Sequence, residues 1–139
     1  MLSPTRLAII ALAFVLGLAG CATLGEHEQA KKLEASVRNY VLAVRWGTYG
    51  AAAQHLRRRD GNIIKPDLKA LEEVRVTQYE YAIDARQPGA PEARMTASFE
   101  YYYLDTRSVR KTYQQSLWWW DEKSKSWYMD DNLPSFPRK

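Results

Sequence analysis

Apolar positions recur along this chain with two periods, and the change between them divides it. From about residue 28, Ala30, Leu33, Val37, Tyr40, Val41 and Val44 fall at three- and four-residue steps, while Lys31, Lys32, Glu34, Arg38 and Asn39 take the other side. That spacing predicts an amphipathic helix with one apolar stripe. Gly47 predicts its stop, and Thr48 an N-cap for a second helix whose inward positions are Tyr49, Ala52, Ala53 and Leu56. Asp60-Gly61-Asn62 reads as a turn. Pro66 suits the first turn of a third, short helix reaching about Glu73, with Leu68 and Leu71 buried.

From Val74 the period becomes two. Tyr79, Tyr81, Ile83 and Ala85 alternate with Glu80, Ala82, Asp84 and Arg86, but Val74 and Val76 lie in the opposite phase. A strict strand cannot put both sets on one face, so a β-bulge is expected near Thr77-Gln78. The second strand alternates Met95, Ala97, Phe99, Tyr101 and Tyr103 with Arg94, Thr96, Ser98, Glu100 and Tyr102. For the third, residues 109–120, the inward set is read as Val109, Lys111, Tyr113, Gln115, Leu117 and Trp119. A charged turn, Asp121-Glu122-Lys123-Ser124-Lys125, leads to a fourth strand that sets Trp127 opposite Trp119 and Met129 opposite Leu117. Phe99, Leu117, Trp119 and Trp127 are the expected core. Helices followed by a four-stranded antiparallel meander mean an α+β domain, with N-terminal helices packed on one face of a curved sheet.

Ahead of the periodic region lies a different kind of segment. Arg6 precedes an uncharged apolar run over residues 7–19, which ends in Leu18-Ala19-Gly20-Cys21. A charged residue, an apolar core and small residues make a secretory signal peptide. The last four residues resemble the lipobox of bacterial lipoproteins. That resemblance implies cleavage after Gly20 and acylation of Cys21. The domains would then be a signal peptide (1–20), a lipidated tether (21–27) and an α+β domain (28–136). An uncleaved transmembrane helix is the other reading, since no charge occurs between Arg6 and Glu26 and a span needs about 20 residues. Both readings export the domain. As the lipoprotein sorting rule is usually stated, Ala22 rather than Asp after the cysteine favours the outer membrane, periplasmic side, over the inner membrane.

The cysteine count agrees with export. Cys21 is the only cysteine, so no internal disulfide exists and lipidation would consume the one thiol. The formal charge is +4, and loss of Arg6 lowers it by one. That is too mild a balance to point to nucleic acid. His55, Arg57, Arg58 and Arg59 form the one local basic cluster. Cations at a helix C-terminus complement its dipole; contact with anionic lipid or glycan is the alternative use.

Element order, the early bulge, and patterns such as Trp46…Tyr49…Ala52 and Trp119…Trp127-Tyr128…Leu133-Pro134 resemble the NTF2-like (SnoaL-like, cystatin-related) cone, over about residues 28–136. The resemblance implies N-terminal helices packed on a curved four-stranded sheet, as a cone. It is similar to small bacterial lipoproteins of this layout, and the fold hosts enzymes, binders and scaffolds alike.

Chemistry is sparse. The two histidines, His27 and His55, have no partner at ligand spacing, so no metal is expected. No Gly-rich loop joins a strand to a helix, and no Gly-x-Ser-x-Gly elbow occurs. No cofactor is implied. Ketosteroid isomerase-like members of the resembled fold use an inward carboxylate, but Glu80, Asp84 and Glu100 all fall on the outward phase here. No catalytic constellation is found.

Two surfaces remain as candidates. Tyr79, Tyr81, Tyr101, Tyr103, Lys111, Tyr113 and Gln115 would share the concave face and form an aromatic cleft with polar anchors for a small ligand. Tyr102, Arg110, Trp118, Trp120 and Tyr128 would lie on the opposite face, with Arg110 beside Tyr102 as a cation–π pair, and would invite a partner or a second copy. The expected function is a non-catalytic envelope lipoprotein that binds a partner or self-associates through its sheet. A periplasmic small-ligand carrier is the alternative, and a SnoaL- or ketosteroid isomerase-like enzyme a third.

Overall fold

The computed structural model describes the backbone of residues 4–139 and side chains from Thr23 onward. Cys21 and the cleavage site before it therefore lie outside the residues whose side chains are described.

Helix α1 (Pro4–Arg45) buries the stripe read from the sequence: Leu33, Val37, Tyr40, Val41 and Val44 are all in the core. It takes in residues 23–27, which the sequence reading placed in a tether ahead of the first helix. Gly47 ends it, with φ +71°. There Gly47 N–H bonds Val44 O (3.2 Å) and Thr48 N–H bonds Ala43 O (2.9 Å). These are the paired bonds of a Schellman cap, whose left-handed residue favours glycine.

Helix α2 (Tyr49–Ala53) is shorter than the alternation suggests. Thr48 does not cap it through its side chain; the hydroxyl donates back to Ala43 O at 3.2 Å. After α2 the chain straightens. Arg57 N–H bonds Met129 O (3.0 Å), and Met129 N–H bonds His55 O (2.7 Å). The third helix is reduced to one 3-10 turn, Lys69–Leu71, with Leu68 exposed.

Strands β1 (Val74–Asp84), β2 (Glu92–Tyr103), β3 (Arg110–Asp121) and β4 (Ser126–Met129) form an antiparallel sheet in the order β1-β2-β3-β4, curled into a half-barrel. The expected bulge is present: the register slips between Val76 and Gln78. It brings Val74 and Val76 onto the same face as Tyr79, Tyr81 and Ile83. On β2, Ala93, Met95, Ala97, Phe99, Tyr101 and Tyr103 point into the hollow.

β3 corrects the sequence reading by one residue. Its buried positions are Thr112, Gln114, Ser116 and Trp118. Lys111, Tyr113, Gln115, Leu117 and Trp119 therefore lie on the outer face, and Trp120 shares the inner one. Across the last hairpin Trp118 faces Met129 and Trp120 faces Trp127, so Trp119 sits opposite Tyr128. Phe99 and Trp127 are core as expected; Leu117 and Trp119 are half-buried outside it.

The reversal has a physical cause. Polar side chains at core positions require partners, and these partners come from far along the chain. Tyr40 Oη donates to Gln114 Oε1 (2.9 Å). Gln114 Nε2 donates to Asn132 O (2.9 Å), and Thr112 Oγ1 to Ser135 O (2.8 Å). The hollow is thus filled by α1, α2 and a C-terminal strap over residues 130–137. Phe136 in that strap is buried edge-on against Tyr101, 5.0 Å between ring centroids, and near Phe99 and Tyr49.

At the other end of the sheet the loop between β1 and β2 touches α1. Gln29 Nε2 donates to Ala90 O (3.1 Å), and Trp127 Nε1 to Gln29 O (3.0 Å). Gly89 has φ +80°, and a Cβ there would stand 2.7 Å from Glu26 Cγ. The left-handed backbone favours glycine there, and any side chain would have to displace that of Glu26.

Candidate functional site

The tyrosines read as a cleft divide between two environments. Tyr101 and Tyr103 project into the hollow, where Tyr101 Oη donates to Pro137 O and Tyr103 Oη to Phe136 O (2.6 Å). Their hydroxyls hold the strap rather than facing an open cavity. Burial pushes the Tyr101 phenol above its ordinary range. It pushes Tyr49, beneath Phe136, up to about 12. Phenols kept neutral in this way do not act as bases. Tyr79 and Tyr81 lie farther out along β1, stacked at 6.4 Å and only partly covered.

Lys111, Tyr113 and Gln115 do not join them. On the outer face Tyr113 is 71% exposed, with Lys111 Nζ 5.7 Å from its ring centroid. Cross-strand rows set Lys111 beside Glu100 and Gln115 beside Thr96. The expected concave anchors are therefore outward, because β3 runs in the opposite phase.

The second candidate surface is also redistributed. Trp118 is 0% exposed, with its ring 5.7 Å from Tyr40 and 5.9 Å from His55. Trp120 packs on Trp127 at 5.6 Å. Arg110 pairs in register with Tyr101, on the inner side, and not with Tyr102. Tyr102 and Tyr128 alone keep the outward placement, half-buried. Trp119 joins Tyr128 there (5.6 Å), and the Arg57 guanidinium lies 4.1 Å over the Tyr128 ring.

The basic cluster is not a helix end. His55 and Arg57 have left α2 for the edge of β4; Arg58 approaches Asp130 at 3.7 Å and Arg59 ion-pairs with Glu92. Burial among rings pushes the His55 imidazole below its ordinary value, so it is neutral where it sits. Among the described residues no group of three His, Cys, Asp or Glu side chains converges. Ser116 Oγ, Trp118 Nε1 and Tyr49 Oη are buried without a hydrogen-bond partner; the His55 imidazole stands beside Trp118.

One further surface was missed by sequence reasoning. Where α1 ends, Arg45, Trp46 and Gly47 meet Glu72, Val74, Arg75, Val76, Thr77 and Tyr102 around an open groove of about 610 Å³. Trp46 is 70% exposed, with the Arg45 guanidinium 4.5 Å from its ring. Arg45 also donates to Val76 O at the bulge. The available signal was a tryptophan between the last helical arginine and the stop glycine, where no core position is required.

Among the described residues no helix is long and apolar enough to cross a membrane. No protein-family model matches the chain, and no curated protein matches it.

Proposed function

We propose that this chain is a non-catalytic, lipid-anchored envelope protein whose domain, an NTF2-like cone, binds a partner or a second copy through its sheet. The observation that carries the reading is the strap: Phe136 and the carbonyls of residues 132–137 occupy the hollow in which a small ligand would sit. What remains for recognition is the outer surface and the edge of the sheet. The anchor would be Cys21, and Ala22 after it favours the periplasmic side of the outer membrane.

The carrier reading requires Phe136 to leave a core position, and the isomerase reading lacks an inward carboxylate. The test is native purification of the lipidated protein from its own envelope, with mass spectrometry of proteins and small molecules together. A stoichiometric protein partner, or a second copy, is the expected result. A bound lipid or metabolite without any protein would overturn the proposal.

A further inference from the structure

The two edges of this sheet are treated differently. The β4 edge is bonded at its last residue, Met129, by residues 55–57. The β1 edge has no such partner beyond its bulge among the described residues. Beyond Val76, whose carbonyl Arg45 caps, no hydrogen bond from outside the sheet reaches the backbone of residues 78–84 among the described residues. Of the devices that ordinarily guard such an edge, β1 has its bulge at residues 76–78 and outward Glu80 and Asp84, but no lysine, proline or inward charge over residues 78–84. Instead Tyr79, Tyr81 (38% exposed) and Ile83 line its inner side, incompletely covered.

Charge is graded along this edge. Glu80 and Asp84 point outward near its end, and neither makes an ion pair among the described residues. At its start the groove sets Arg45 and Arg75 against one carboxylate, Glu72, with Trp46 as an exposed aromatic wall. Arg75 spends one guanidinium nitrogen, Nη1, on Glu72 O and Val74 O.

We infer that residues 78–84 and the Arg45–Trp46–Arg75 groove form one docking track for an extended segment of a partner protein, added antiparallel to β1. The inference rests on the partner-binding reading above and gives it a location and a chemistry. Strand addition supplies main-chain bonds, and alternate side chains supply specificity. The segment has apolar residues over Tyr79, Tyr81 and Ile83. Its outward positions are cationic, facing Glu80 and Asp84, and its carboxyl end or an acidic residue enters the arginine groove. Seven residues of strand span roughly 23 Å, so the track takes a peptide of eight or nine residues. A second copy fits this edge less well. The two-fold axis of such a sheet stands normal to it and would send the two α1 helices in opposite directions, away from a shared membrane.

The test uses the full chain in detergent and a fluorescent peptide, Lys-Val-Thr-Val-Lys-Val-Thr-Val-Glu with a free carboxylate. Its counterpart has glutamate at the lysine positions and an amidated lysine end. The first peptide should bind at least tenfold more tightly and slow amide exchange over residues 78–84. Tyr81→Lys or Glu80→Lys should each weaken it about tenfold, with unchanged circular dichroism, while Tyr113→Ser leaves it unaltered. Arg75→Glu should remove the preference for a free carboxylate. Equal binding of the two peptides, protection at another place, or a dimer that Tyr81→Lys dissolves would overturn the inference. A co-purifying envelope protein lost with Tyr113→Ser but not with Tyr81→Lys would overturn it while leaving the partner-binding reading intact.

Discussion

The Tyr40 hydroxyl donates to Gln114 Oε1 at 2.9 Å, in the core, across 74 positions of sequence. This contact ties the middle of α1 to the inner face of β3, and the amide's other end holds the strap at Asn132. Burial holds the Tyr40 phenol far above its ordinary range, so it is a donor throughout the accessible pH range. Tyr40→Phe leaves the Gln114 oxygen unpaired and should cost about 1–3 kcal/mol in urea unfolding. An unchanged midpoint would mean that the bond contributes nothing.

Register on β3 is tested by neighbouring tryptophans. Trp118→Ala empties a fully buried site and should cost about 3–5 kcal/mol. Trp119, half-buried outside, donates to Arg57 O (2.8 Å) and packs on Tyr128. Its replacement by alanine should cost less, about 1–2 kcal/mol. Denaturation of the two variants should rank them in that order, and the reverse order would invert the strand.

The strap makes a prediction of its own. Phe136→Ala removes the ring that closes the hollow and should cost about 3–5 kcal/mol. With the ring gone, Tyr49, Phe99 and Tyr101 are uncovered, so binding of a hydrophobic dye should rise. A variant with native stability and no dye binding would show that the strap is an ornament on an otherwise closed core.

His55 sets a pH dependence. Burial lowers its folded value below the 6.5 of the unfolded chain, so the neutral imidazole is favoured by folding. Its contribution is complete above pH 6.5 and shrinks as pH falls toward the folded value, because the unfolded chain binds the proton first. Urea midpoints at pH 7.5 and 5.5 should therefore differ, with the lower pH less stable. His55→Gln should narrow the difference. Asp121 is held below the usual carboxylate range by a bond from Ser124, and Glu122 by its Lys125 partner. Their effects appear only at more acid pH, outside this window.

Cys21→Ser tests the anchor. On the proposed lipoprotein reading, the variant should remain an unprocessed precursor and fail to fractionate with membranes. Normal maturation of the variant, with retention in the membrane fraction, would remove the lipobox from the argument.

The legible parts of this fold are those decided locally. Each inward residue of β2 is apolar or a tyrosine, so alternation alone orients it. The bulge follows from the clash of phase between Val76 and Tyr79. β3 is different: Thr112, Gln114 and Ser116 are inward because Ser135, Asn132 and Tyr40 meet two of them. Three consecutive tryptophans satisfy either phase. α2 is shorter than its apolar spacing suggests for a related reason, since residues 55–57 pair with Met129 instead of adding a helical turn. The edge of β1 left no trace in apolar periodicity, because an edge is defined by what fails to pair with it.

Helix α1 is at once the floor of the core and the route toward the N-terminus. From Leu24 to Arg45 it runs without a break for about 32 Å, and Gln29 ties its near end to the carbonyls of Gly89 and Ala90. No slack segment intervenes. A pull applied at that end would load the Val37–Val44 row in shear against the sheet instead of straightening a loop. The domain's tilt relative to whatever holds its N-terminus is therefore a mechanical property of its hydrophobic interior.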